Sequence, residues 1–92
     1  MTEISFEWDE NKNNINKAKH GVSFEEAKSV FDDDRALVMP DPDHSDEEER
    51  FVILGLSEAL NLLVVCHCYR AGDRIIRIIS ARKATKTEIN YY

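Results

Sequence analysis

No apolar run in this sequence approaches the roughly 20 residues that a membrane-spanning helix needs. The opening stretch MTEISFEWDEN is acidic and polar, so it does not read as a secretory signal peptide. Repeats, linkers and low-complexity tracts are missing as well. The 92 residues leave no room for a second core, and residues 1–92 are expected to form one small domain. Cysteine is scarce. Cys66 and Cys68 stand two apart on an expected strand, from a stretched backbone that does not suit a mutual disulfide. Two free thiols fit a reducing compartment, and the expected location is cytoplasmic. They make no zinc site with His67, which points away from them, and no second ligand pair follows. The acidic stretch Asp41–Glu49 fails as a calcium loop, because Asp46 stands where glycine belongs and Val52 where the closing glutamate belongs. It reads as a solvated loop, and no metal or cofactor is expected. A general excess of positive charge is also lacking. The formal net charge of −6 argues against a protein that coats nucleic acid nonspecifically.

The average conceals an asymmetry. Residues 1–50 hold 15 acids and 6 bases, whereas residues 51–92 hold 3 acids and 6 bases. The second half can therefore present a locally positive surface, unless the halves simply neutralise one another across the fold.

Local signals place the elements. Ile4–Trp8 alternates like a short strand, and Asp9 caps a helix from Glu10 to about His20. Ile15 and Ala18 mark its narrow apolar side. Gly21 supplies the left-handed exit, and Lys17, Lys19 and His20 suit the helix dipole. Ser23-Phe-Glu-Glu26 is a capping box for a second helix with Phe24, Ala27, Val30 and Phe31 on one face. It ends at Asp32-Asp33-Asp34. Strands are expected at Arg35–Met39, Glu49–Leu56, Asn61–Tyr69 and Arg74–Ser80. Thr85-Lys-Thr-Glu88 is a capping box for a short last helix. Consecutive strands joined by short turns predict an α+β fold, a largely antiparallel sheet with helices packed on one face.

The strongest functional signal is the hairpin LNLLVVCHCYRAGDRIIRIISAR, residues 60–82. It carries Arg70, Arg74, Arg77 and Arg82 on or beside the most apolar segment of the chain. An unpaired buried guanidinium costs several kcal/mol, so such arginines sit at an edge, pair with acids, or receive an anion. On a regular strand Arg77 shares a face with Ile75 and Ile79, and Arg74 shares the other with Ile76 and Ile78. An uncovered face can then gather Arg77, His67 and Tyr69, with Arg50, Arg70 and Arg82 from the rim. Arginines grip phosphate through forked hydrogen bonds and stabilise a phosphorane, while a His, Tyr or Lys moves the proton. RNA brings its own nucleophile, the 2′-hydroxyl, so this chemistry needs no metal and no serine or cysteine. The plainer alternative is cross-strand pairing of these arginines with acids. Lys19-His20 is similarly either an acid–base pair or an ordinary helix terminus.

The motifs together resemble the BrnT family of type II toxin–antitoxin ribonucleases. The resemblance rests on Phe6-x-Trp8-Asp9 leading to Lys12 and Asn16, on KHGVSFEEA at residues 19–27 continuing to Val30-Phe31, on Glu49-Arg50 and Gly55, and on RIISAR at residues 77–82 with Ala84, Glu88 and a terminal tyrosine. It implies a RelE-like fold with two N-terminal helices and a short C-terminal one. It also implies a metal-independent RNA-cleaving toxin that blocks translation. The implied partners are a BrnA-like antitoxin, RNA whether free or on the ribosome, and DNA only through the antitoxin; no membrane is involved. Arg50, Arg77 and Arg82 are then the phosphate-gripping candidates. Lys19, His20, His67 and Tyr92 are candidates for proton transfer or orientation, and Arg70, Arg74 and Lys83 for RNA contact. Ile89 stands where the family often has arginine, and the last helix is short. These departures and the net acidity motivate a second reading, a non-catalytic toxin-fold module that binds an antitoxin-like protein. A third is a metal-dependent nuclease using the Asp41–Glu49 acids.

Overall fold

The computed structural model describes residues 3–41 and 49–92. The elements run β1 (Ser5–Glu7), α1 (Glu10–His20), α2 (Phe24–Ser29) continued by a 3-10 turn (Val30–Asp32), β2 (Leu37–Pro40), β3 (Phe51–Leu56), β4 (Leu62–Arg70), β5 (Ile75–Lys83) and α3 (Lys86–Ile89). Most of the acidic loop between β2 and β3, residues 42–48, lies outside the described residues.

The caps explain the helix boundaries. The Asp9 carboxylate accepts from the Asn11 and Lys12 amides, and Gly21 closes α1 at φ 71°. The Ser23 hydroxyl accepts from Glu26 N, but the Glu26 carboxylate goes elsewhere, accepting from Ser57 Oγ at 2.6 Å and Asn61 Nδ2 at 2.9 Å. It ties α2 to the β3–β4 turn instead of closing a box. At Thr85 both halves of the capping box form.

The strands form one sheet in the order β1-β5-β4-β3-β2. Pairing from β2 to β5 is antiparallel, as the short β3–β4 and β4–β5 turns require for those strands, while β1 joins β5 in parallel. Between β1 and β5 the chain passes through both helices and through β2 to β4, so the turn signals do not reveal that parallel edge. β2 starts two residues later than its sequence pattern suggests. A local turn holds the chain first: Arg35 N donates to Asp33 Oδ1 and Ala36 N to Asp33 O.

Helices α1 and α2 cover one face of the sheet. Val22, Phe24, Ala27 and Val30 pack there against Ile53, Leu63, Val65, Ile78 and Ala81. Each of the valine, leucine, isoleucine and phenylalanine side chains contributes about 1.5–3 kcal/mol on burial. α1 corrects the expectation of an apolar stripe at Ile15 and Ala18: both are exposed, and Asn13 and Asn16 turn inward instead. Their side-chain amides satisfy backbone groups. Asn16 Nδ2 donates to Val22 O and Ala81 O, both at 2.8 Å, and Asn16 Oδ1 accepts from Ala81 N at 3.1 Å. β1 pairs β5 only from Ile75 to Arg77, so Asn16 acts as a one-residue strand further along that edge. Asn13 Oδ1 accepts from Phe24 N at 2.9 Å, where α2 begins.

β5 contains a bulge. Cys66 opposes Ser80 whereas His67 opposes Ile78, leaving Ile79 as the extra residue. Directly opposed residues share a face. Arg77 therefore lies with Cys68, Ser80 with Cys66, and Arg82 with Val64, all on the face away from α1 and α2. On a regular strand Arg77 and Arg82, five apart, would point to opposite faces. The bulge brings them to one.

Candidate functional site

That far face holds a cleft of about 380 Å³. Val52, Val64 and Ile79 give it apolar walls, and Cys66 and Ser80 add small polar groups. Among the described residues, three charged ones complete it: Arg50, Arg82 and Asp41. Asp41 N donates to Arg50 O at 2.9 Å, so the pair closes the β2–β3 ladder and reaches the cleft from adjacent strands.

The two arginines differ in commitment. Arg82 Nη1 and Nη2 donate to Glu88 Oε1 and Oε2 at 2.7 and 2.8 Å, a forked pair supplied by the first turn of α3. The Arg82 hydrogen bond is the chief reason the Glu88 carboxyl falls to about 2, so Glu88 stays ionised and Arg82 stays oriented. Glu88 takes only the outer fork of the guanidinium. The edge formed by Nε and Nη2 has no hydrogen-bond partner at Nε among the described residues and is shaped to take a second oxyanion. The Arg50 side chain makes no hydrogen bond or ion pair with the described residues. Cys66 Sγ donates to Asp41 Oδ2 at 3.6 Å. Burial, then the Asp41 charge, pushes the thiol up to about 11, which makes it a hydrogen-bond donor and no nucleophile at neutral pH.

Elsewhere on the far face, Glu7 Oε2 stands 2.9 Å from Arg77 Nη1 and 3.7 Å from Arg70 Nε. Arg74 lies in the β4–β5 turn, where its Nε donates to Ala71 O, and Lys83 is exposed at the end of β5. The expected grouping of His67 and Tyr69 with Arg77 does not form. His67 is fully buried on the helix-covered face, edge-on to Phe31 at 4.8 Å between ring centres. Its Nδ1 donates to Val65 O at 3.1 Å, since a carbonyl only accepts, and its Nε2 has no hydrogen-bond partner among the described residues. Burial lowers its pKa and keeps it neutral. Tyr92 donates its phenol to Asp33 Oδ2 at 2.6 Å, which raises the phenol's pKa, and its ring lies under Arg35. Lys19 and His20 end α1 on the covered side and line no part of the cleft.

A second cleft of about 410 Å³ is lined by Glu49, Phe51, Tyr69 and Asp73, and its two acids make it a poor place for phosphate. Asp41 and Glu49, the described ends of the acidic loop, thus line different clefts. Sequence reasoning passed over Asp41 as a cleft residue because it counted as part of that loop. The available signal was its position across a β2–β3 hairpin from Arg50.

The sequence matches, over residues 8–88, the family described as ribonuclease toxin, BrnT, of type II toxin–antitoxin system. The chain belongs to the BrnT family. Among solved structures it is similar to the Brucella abortus ribonuclease toxin BrnT, with 25% identity over 94% of this chain and 100% of that one and a TM-score of 0.62. No curated protein matches the sequence. Membership in the BrnT family brings a ribonuclease activity, RNA as the substrate and an antitoxin as the partner. Among the described residues no helix is long and apolar enough to cross a membrane.

Proposed function

We propose that this chain is a metal-independent endoribonuclease toxin whose chemistry runs in the far-face cleft. The observation that carries the reading is the convergence of Arg50 and Arg82 on one cleft, with Arg77 and Arg70 further along the same face. The RNA 2′-hydroxyl attacks the adjacent phosphorus, and the two guanidiniums stabilise the charge that builds on the non-bridging oxygens. The apolar walls at Val52, Val64 and Ile79 give a base a surface to lie on. Arg77 and Arg70 hold neighbouring phosphates of the same strand. Cleavage of messages then blocks translation, and a BrnA-like antitoxin restrains the toxin in the cytoplasm.

The Arg82–Glu88 fork favours one competing reading, a toxin-fold module that binds a partner without cleaving RNA, because Glu88 already neutralises part of the Arg82 charge. Induction of the chain alone in cells separates the two. The catalytic reading predicts growth arrest with fragmented RNA, and loss of both in Arg50→Ala/Arg82→Ala. A soluble, folded parent that leaves growth and RNA intact would favour the module.

A further inference from the structure

The proposed reaction needs a group to take the proton from the 2′-hydroxyl, and it has to sit within hydrogen-bond reach of the bound ribose. The histidine and tyrosine of the hairpin do not meet this condition. His67 is sealed against Phe31 on the other face, and Tyr69 lines the acidic cleft. Tyr92 is engaged with Asp33, and Lys19 and His20 line no part of the arginine cleft. Among the described residues of that cleft, the titratable groups besides the arginines are Asp41 and Cys66. Cys66 retains its proton and donates it toward Asp41. Asp41 is fixed from two sides, by that thiol on Oδ2 and by its backbone amide on Arg50 O. Among the described residues, the charged groups that share the cleft with it are Arg50 and Arg82, with Glu88 behind Arg82.

We propose that Asp41 is the general base of this cleft, an assignment that rests on the ribonuclease reading above. The Asp41 carboxylate takes the 2′-hydroxyl proton as the 2′-oxygen bonds to phosphorus. The bond from phosphorus to the 5′-oxygen breaks, and the 5′-oxygen takes a proton from water. The products are a 2′,3′-cyclic phosphate and a 5′-hydroxyl, after which Asp41 returns its proton to solvent. Arg50 and Arg82 hold the phosphate beside the carboxylate and offset the repulsion between the two anions. The site thus pairs a carboxylate base with guanidinium clamps, and among the described residues no imidazole lines it.

Asp41→Asn tests the assignment, because it keeps the size of the side chain and one oxygen to accept from Cys66 but removes its ability to take a proton. The full-length parent and variant are compared in three ways: cleavage of a single-stranded RNA, the pH dependence of that rate, and binding of the same strand with 2′-O-methyl sugars. The expected result is a cleavage rate down about 100-fold or more with binding retained. The rise of the parent's rate on the acid side should be missing from the variant's residual rate. A variant that cleaves at the parental rate overturns the assignment while leaving the ribonuclease reading intact. Equal loss of binding and cleavage also overturns it, since Asp41 would then shape the cleft only. A parent that cleaves no RNA removes the ribonuclease reading, and the assignment with it.

Discussion

His67 shows how one residue was misplaced by its chemistry. An imidazole beside arginines reads as a catalytic group, yet the register sends it to the covered face, where Nε2 finds no hydrogen-bond partner among the described residues. The burial has a consequence for stability. The folded imidazole has a pKa below its ordinary 6.5, so below that pH the unfolded chain binds a proton that the folded chain refuses. Stability from this residue is therefore full above 6.5 and falls as the pH drops beneath it, by up to about 1.4 kcal/mol per pH unit, the slope of one proton. Urea unfolding on either side of that pH should show the parent losing more stability in acid than His67→Leu. Equal losses would contradict the burial of a neutral ring. Gly55 illustrates a different constraint. A Cβ there would meet Val30 Cγ1 at 2.8 Å and Ala36 Cβ at 2.9 Å, so Gly55→Ala should destabilise the fold by about 1–3 kcal/mol, as read from its denaturant midpoint.

At the scale of elements, α1 is held to the sheet by hydrogen bonds as much as by apolar contact. Asn16→Ala would leave Val22 O and both backbone groups of Ala81 without their partner. A loss of about 2–4 kcal/mol is expected in equilibrium unfolding, and Asn16→Asp should not rescue it, because a carboxylate cannot donate to the two carbonyls. A change under about 0.5 kcal/mol would mean the bridge adds little. This helix also marks where sequence reasoning stopped. Asp9, Gly21, Ser23 and Thr85 announce their helix ends because capping is local chemistry. Val64, Val65 and their neighbours announce a central strand through β-branching. The inward asparagines cannot be read locally, since Asn16 reaches partners 6 and 65 residues away and Asn13 reaches partners 11 and 12 away. The bulge at Ile79 is equally silent, yet it decides that Arg77 and Arg82 share a face. The arginines were thus legible as site candidates by type, whereas their grouping, and the place of Asp41 among them, depended on register.

For the whole molecule, a net charge of −6 and a cleft bearing two arginines imply weak, short-reaching attraction for RNA. With Arg50, Arg82, Arg77 and Arg70 all supplying phosphate contacts, the logarithm of single-strand affinity should fall with the logarithm of salt at a slope of about −2.8, and Arg50→Ala should reduce its magnitude to about 2.1. A slope several times steeper would indicate a broader basic surface. Metal-free cleavage of RNA in the arginine cleft is the proposal from which the others follow. The most direct test is incubation of end-labelled RNA with purified parent and with Arg50→Ala/Arg82→Ala, in excess chelator, with the product termini analysed. The account predicts fragments ending in 2′,3′-cyclic phosphate from the parent, and a rate lower by at least about 100-fold from a folded variant. Parental cleavage by the variant, or cleavage that stops in chelator, would contradict it.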